Sequence, residues 1–325
     1  MKQMLNHKLL KIINLKKYYP VTAGFFSRHI GDIKAVDGVT FDISEREIIG
    51  LVGESGCGKS TLGKTILRLE EPTSGEILYK GTDVTKLDKK GLKELRRQIQ
   101  IIFQDPDASL DPRMTVGDSI CEPLIVHNIG DERKRMKRVA ELMEQVGLEA
   151  RQANLYPHEF SGGQKQRIGI ARALAMNPKI IIADEPVSAL DVSIQAQILN
   201  LMMDIQERLG LAYLFIAHDL SVIKHMAHRI AVMYLGKIVE LANKKDLFEN
   251  PMHPYTEALL SAVPSFKSKD KDRILLRGDV PSPLNPPPGC HFHPRCHRIL
   301  SICNQQEPVL AEVSKGHFVA CHLYK

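Results

Sequence analysis

Residues 53–61 read GESGCGKST, and they follow EIIGLV at 47–52. Gly53, Gly58, Lys59 and Ser60 fit the spacing G-x-x-x-x-G-K-[ST], and the apolar run ahead of them has the length and content of a buried strand. Such a turn is a phosphate cradle. Its glycines let the backbone of Gly53, Glu54, Ser55, Gly56, Cys57 and Gly58 bend until successive N–H groups point inward at phosphate oxygens. The helix that follows, with Leu62, Ile66 and Leu69 expected on one face, begins at Lys59, Ser60 and Thr61 and adds its positive end. Lys59 is expected to reach the β and γ phosphates, and the Ser60 hydroxyl suits the octahedral shell of a magnesium ion. Cys57 fills a free position of the loop. No histidine stands beside it as a base, so a small filler is expected rather than a nucleophile, although alkylation there would block the nucleotide.

A chain of 325 residues with 43% hydrophobic and 25% charged residues has enough apolar content for a substantial core. Its net charge of +6 permits contact with phosphates or anionic lipid without demanding it, and nucleic acid is not expected as a partner. No apolar run reaches the roughly 18 residues needed to cross a bilayer. The first 17 residues lack the apolar stretch and cleavage site of a secretory signal, so a cytoplasmic location is expected.

The second chemical landmark is IIIADE at 180–185. Ile180 to Ala183 form an apolar run typical of a strand buried on both faces, and it ends in Asp184 and Glu185. Successive strand residues point to opposite sides, which suits the two carboxylates to separate tasks. Asp184 is assigned to the magnesium shell and Glu185 to polarising the attacking water as general base. The long interval between Lys59 and Asp184 requires an inserted subdomain, and its signals are helical. Met136, Val139, Leu142, Met143 and Val146 recur at three- and four-residue steps with Gly147 as the terminus, and the basic run from Glu132 to Arg138 reads as a solvated face. Within the insertion, Ser161, Gly162 and Gly163 open a helix bearing Ile168, Ala171 and Leu174, a second helix end suited to an anion.

At this point FSGGQ, residues 160–164, resembles the signature sequence of the ATP-binding cassette ATPases, with Phe160 where leucine is more usual. The resemblance implies that Ser161, Gly162, Gly163 and Gln164 contact the γ-phosphate of nucleotide held by an opposite subunit. It extends to Gln104 in QIIFQDP as a sensor of magnesium and of the membrane partner, to SALD from Ser188 to Asp191 as the segment that crosses the dimer, and to His218 in FIAHDL as the switch histidine. Tyr19 sits where the family places an aromatic ring under adenine, although adjacent Tyr18 leaves the register open by one residue. The implied fold is α/β: a P-loop ATPase core with an antiparallel β subdomain, an inserted helical subdomain over about 107–177 and a small C-terminal extension.

Two later stretches, ENPMHPYTEALLSAVP at 249–264 and PSPLNPPPGC at 281–290, resemble the C-terminal extension of ATPase subunits from bacterial dipeptide and oligopeptide importers. That places a nucleotide-binding domain at 1–248 and the extension at 249–325. The extension carries Cys290, Cys296, Cys303 and Cys321, four of the chain's six cysteines. Their spacing matches neither tight zinc motifs nor ferredoxin runs, and by itself it leaves metal ligands and free buried thiols both open. The resemblance implies that the four hold a [4Fe–4S] cluster; zinc is the alternative, with His291, His293, His297, His317 and His322 near enough in sequence to substitute. A structural staple is the expected role, because the segment is rich in proline and short of apolar residues.

The resemblance also implies a working cycle. ATP binds through Tyr19 and the glycine loop, a second homologous ATPase closes over it, and the closure moves helices of two transmembrane permease subunits supplied through a substrate-binding protein. Glu185 and His218 serve hydrolysis. A heterodimer of related ATPases on the cytoplasmic face of the membrane is expected, with a peptide as cargo. The alternatives are a nickel or metal-chelate importer and a soluble cassette ATPase of translation or DNA repair.

Overall fold

The computed structural model describes residues 8–24, 28–262, 274–276 and 278–324. The expectation of no secretory signal falls partly on residues 1–7, and the 249–264 stretch ends in Val263 and Pro264; these lie outside the described residues. Strands occur, in chain order, as β1 (Lys8–Ala23), β2 (Arg28–Ser44), β3 (Ile48–Val52), β4 (Ser74–Tyr79), β5 (Thr82–Asp83), β6 (Ile99–Ile102), β7 (Ile180–Asp184), β8 (Ala212–Ala217), β9 (Arg229–Tyr234), β10 (Lys237–Asn243), β11 (Ala311–Ser314) and β12 (His317–Val319). The chain divides into two compact units, one containing residues 44–47 and 86–216, the other 8–43, 48–85 and 217–324.

In the first unit β6, β7 and β8 run parallel, with Ile99 opposite Ile180 and Ile180 opposite Ala212. Every residue of β7 and β8 is buried. A parallel strand covered on both faces has no polar side to show, which is why IIIA and AYLFIA read as continuous apolar runs rather than alternating ones. Four helices intervene between β6 and β7, at Pro106–Ser109, Val116–Val126, Glu132–Gln145 and Gly162–Leu174. Three begin on an Asp or Thr whose side chain accepts a first-turn N–H (Asp105, Thr115, Asp131). Glu132–Gln145 buries Val139, Leu142 and Met143, and Gly147, at φ +74°, takes the left-handed turn that ends it. Met136 departs from expectation: it is 43% exposed, because the buried face lies on the C-terminal half of the helix.

The second unit holds two sheets. One has the order β2-β1-β4-β5, with β4 antiparallel to β1 and to β5. In the other, β3 runs parallel to β9, β9 antiparallel to β10, β10 antiparallel to β12, and β12 antiparallel to β11. After β3 comes the helix Lys59–Ile66, which buries Leu62 and Ile66. Leu69 does not join them. The helix has ended, Arg68 turns the chain at φ +48°, and Leu69 is 47% exposed.

The pairing of β12 with β10, Glu240 opposite Val319 and Leu241 opposite Phe318, corrects the expectation of an extension short of its own support. Strand addition supplies backbone hydrogen bonds, and Tyr255, Ala258, Phe292 and Val319 supply buried apolar surface. Glu240, wholly buried, accepts N–H bonds from Met252 at 2.8 Å and His253 at 2.9 Å and meets His317 Nε2 at 2.7 Å. A buried carboxylate with three partners ties a strand, a helix entry and the β11–β12 hairpin together.

His253 caps the helix Pro254–Ser261 through Nδ1, which accepts the Tyr255 N–H at 3.1 Å. Burial pushes its pKa down to about 4. The folded state therefore refuses a proton that the unfolded chain accepts at its ordinary pKa of about 6.5. This contribution is fully present above pH 6.5 and is lost as pH falls toward 4, about 3 kcal/mol over the whole interval. Denaturant unfolding of the wild type and His253→Asn between pH 7 and pH 4.5 checks this: the wild type should lose stability more steeply, and parallel curves would remove His253 as the cause.

Candidate active site

The glycine loop is fixed by what lies against it. At Gly53, φ +156°, a Cβ would stand 2.1 Å from the Met233 carbonyl oxygen; at Gly58, φ +104°, it would stand 1.9 Å from that of Ala35. Only glycine allows this approach. Gly58 starts the helix Lys59–Ile66 without a side-chain cap, so the first-turn N–H groups and the positive helix end face the loop. Lys59 is 4% exposed, and its ammonium donates to Gly53 O at 2.8 Å and Glu54 O at 3.0 Å. Ser55 and Gly56 are exposed at the tip, and Ser60 and Thr61 follow on the first turn. Cys57 is buried, 3.8 Å from the Lys59 ammonium, and burial pushes its thiol up. A thiol so enclosed and so protonated is a filler, as expected for this position.

The two tyrosines of β1 separate clearly. Tyr18 donates its hydroxyl to Asp37, and Lys34 lies over its ring. Tyr19 instead meets the side chains of Thr61 and Glu70 with its hydroxyl, and burial raises its pKa. The geometry thus sets Tyr19, not Tyr18, beside the helix of the glycine loop. His218 is exposed directly after β8, and Asp219 then caps the helix Leu220–Met226 by accepting the Ser221 N–H at 2.7 Å.

Asp184, Glu185, Gln104, the Ser161–Gln164 segment and Asp191 all belong to the first unit. Asp184 ends β7 and is 4% exposed. Glu185 sits at φ +46°, a left-handed backbone that costs a glutamate roughly 1–3 kcal/mol. Its N–H donates to Ile216 O at 3.0 Å, and its carbonyl accepts both the Ser188 N–H at 3.2 Å and the Ser188 hydroxyl at 3.0 Å. Gln104 Nε2 donates to Glu185 Oε2 at 3.1 Å, so two residues read separately in the sequence share one contact.

Ser161 begins the helix Gly162–Leu174 with a reciprocal cap. Its hydroxyl accepts the Gln164 N–H at 3.4 Å, and the Gln164 side chain accepts the Ser161 N–H at 2.9 Å. Ile168, Ala171 and Leu174 are buried, as expected. A Cβ on Gly163 would stand 2.6 Å from Ile194 Cγ2, so glycine permits close approach to the helix Val192–Leu209, for which exposed Asp191 is the N-terminal residue.

Sequence reasoning missed the surroundings of Glu54. Its carboxylate receives two bonds from Arg295, Nη1 to Oε2 at 2.7 Å and Nη2 to Oε1 at 3.0 Å. Its N–H donates to the hydroxyl of Tyr255 at 2.8 Å. The one available signal was the acidic residue itself, which an anion cradle has to neutralise.

The expected [4Fe–4S] cluster is not supported. Among the described residues no group of three or more His, Cys, Asp or Glu side chains could hold a metal ion, and this applies equally to the zinc alternative. None of the four tail cysteines is in a disulfide. Burial pushes Cys290 up to about 11 and raises Cys296 and Cys321. His317, offered as a substitute ligand, is engaged with Glu240, and His322 Nε2 bonds the Gln306 carbonyl.

Two family models match the chain: the ABC transporter family over residues 36–188 and the oligopeptide/dipeptide transporter C-terminal region over 239–303. The chain is 55% identical, over 97% of each sequence, to the oligopeptide transport ATP-binding protein AppF of Bacillus subtilis. It is 50% identical to the dipeptide transport ATP-binding protein DppF of Escherichia coli, over 98% of this chain and 95% of that one. Among solved structures, the ATP-binding cassette MJ0796, in a dimeric post-hydrolysis state bound to ADP and Pi, is 34% identical with a TM-score of 0.64, covering 72% of this chain and 98% of that one. A glycine loop with its lysine, a buried strand ending in two carboxylates, a capped Ser-Gly-Gly helix and identity of this extent make the chain a member of the ABC transporter family of ATPases.

Proposed function

We propose that this chain energises the import of dipeptides or oligopeptides across the cytoplasmic membrane, from its cytoplasmic face, as one of two related ATPase subunits joined to two permease subunits and served by a substrate-binding protein. The observation that carries this reading is the match of residues 239–303 to the oligopeptide/dipeptide transporter C-terminal region, together with full-length relatives named for transport of those peptides. These names favour peptides over nickel or metal chelates, and a transporter over a cassette ATPase of translation or DNA repair. Among the described residues no helix is long and apolar enough to cross a membrane. Of the domain reading, 1–248 for nucleotide and 249–325 for the extension with a helical insertion at 107–177, the insertion is supported by the four α-helices between β6 and β7, while the 248/249 boundary rests on the family resemblance.

The residues present suit ATP and magnesium. A glycine turn with Lys59 accepts the phosphates, Tyr19 lies beside the loop helix for adenine, and the Ser60 hydroxyl, Gln104 and the Asp184 carboxylate are the oxygen donors a hard cation prefers. When bound, the magnesium ion neutralises phosphate charge. Glu185 orients and deprotonates the attacking water, Gln104 holds the carboxylate, and His218 contacts the γ-phosphate. Ser161, Gly162, Gly163, Gln164 and Asp191 serve the nucleotide of the neighbouring subunit. Glu185→Gln, in the assembled transporter, should bind ATP as the wild type does while turnover falls on the order of a hundredfold or more. Normal turnover would remove Glu185 from the base role, and ATP binding that survives Lys59→Ala would remove the loop from the site.

The finer reading of the tail, a cluster on Cys290, Cys296, Cys303 and Cys321, rests on the resemblance of the extension to that of the peptide importers; N–H groups of Phe292, Arg298 and Leu323 bond three of the sulfurs. Iron, sulfide and zinc analysis of protein purified without oxygen decides it. Four irons with four sulfides per chain support the cluster, one zinc supports the alternative, and neither leaves four structural thiols.

A further inference from the structure

Glu54 is an electrostatic anomaly. It is the first free position of a loop built to hold polyphosphate, and a carboxylate there repels the ligand unless it is neutralised. The second unit neutralises it from the far end of the chain. Arg295, 9% exposed, grips both carboxylate oxygens, lies over the ring of Tyr234 with Cζ 5.9 Å from the centroid, and is 241 residues away in sequence. Tyr255 accepts the Glu54 N–H, and Lys59 donates to the Glu54 carbonyl. Every polar group of this one residue is therefore claimed, two of the three by the extension.

Neither claimant is free to drift. Tyr234, Tyr255 and Phe292 are buried and meet edge-on or tilted, with ring centroids 4.8 to 5.3 Å apart. Phe292 and Arg295 lie in one short turn, where the Arg295 N–H donates to Phe292 O at 3.0 Å, and the turn is anchored by the Cys290 N–H on Cys303 O at 2.8 Å. An aromatic cluster of this kind locks its members into single rotamers, and a fork from arginine to carboxylate fixes direction as well as charge.

We propose that Arg295 and Tyr255 are positioning residues of the ATP site: the C-terminal extension holds Glu54 by its carboxylate and its N–H, keeps that negative charge off the phosphates, and so sets the loop's affinity for nucleotide. This deepens the ATPase reading of the glycine loop and rests on it. The extension thereby acts on ATP binding without touching ATP.

Titration of the full-length chain with ATP in magnesium buffer tests the proposal, with Lys59→Ala as the control for the loop itself. Arg295→Ala should weaken ATP binding on the order of tenfold, and adding Glu54→Gln to it should recover most of that loss, because the unpaired carboxylate is its cause. Arg295→Lys, which keeps the charge and loses the fork, should fall between. In the assembled transporter the loss should appear in KM for ATP more than in kcat. Wild-type affinity in Arg295→Ala, or no recovery on adding Glu54→Gln, overturns the proposal. If Arg295→Ala does not fold, Arg295→Lys with and without Glu54→Gln makes the same comparison. ATP binding retained in Lys59→Ala overturns the ATPase reading instead, so the two failures are distinguishable.

Discussion

The close approach of the loop backbone to two carbonyl oxygens, those of Met233 beside Gly53 and Ala35 beside Gly58, leaves no room for a side chain at either position and is the constraint on which the loop depends. Methyl groups at those positions would overlap backbone rather than flexible side chains, so neither the loop nor its neighbours can yield. Parallel pairing of β3 with β9, Val52 opposite Val232, brings Met233 to the loop just past the last paired residues. From this follow the approach of Lys59 to the loop carbonyls and the start of its helix at Gly58. The phosphate cradle is thus a consequence of sheet register.

In the first unit the same logic operates through burial. β7 is enclosed on both faces, so its carboxylates come at its end: Asp184 is the last strand residue, opposite Ile216, and Glu185 is the first beyond it. Glu185 turns left-handed there, held through its own N–H and carbonyl, and its side chain meets Gln104 from the chain that follows β6. Because β6 and β7 are paired from Ile99 with Ile180 to Ile102 with Ala183, their ends and the residues just beyond them are neighbours. Strand pairing alone converts two distant motifs into one hydrogen-bonded pair.

What was legible in the sequence was local. The glycine turn, the IIIADE run, the Ser-Gly-Gly helix start and the helix ending at Gly147 are each set by spacing within a few residues, and spacing survives without a fold. Leu69 and Met136 were misplaced because periodicity gives the stripe of a helix but not how far the helix extends or which half finds a neighbour. The strands of the extension leave little signal because β11 is short and mostly exposed and β12, though mostly buried, has only three residues and is paired with β10, far upstream. Arg295 could not be assigned at all, since nothing local to HPRC marks a partner at Glu54.

The extension is not an appendage: residues 8–43, 48–85 and 217–324 form one compact unit. The glycine loop and the tail share a sheet through β3, β9, β10, β12 and β11, and they share an ion pair in which Arg295 is buried and Glu54 half-buried. Such a pair stabilises little by itself, since desolvating the arginine offsets much of the attraction, but separating the partners leaves that buried arginine without its carboxylate. Its effect is specificity. A loop carrying an unpaired glutamate is a poor anion site, and a tail carrying an unpaired buried arginine is a poor fold, so each segment is completed by the other. That mutual dependence is a physical reason for a transporter ATPase to keep a segment beyond its nucleotide motifs.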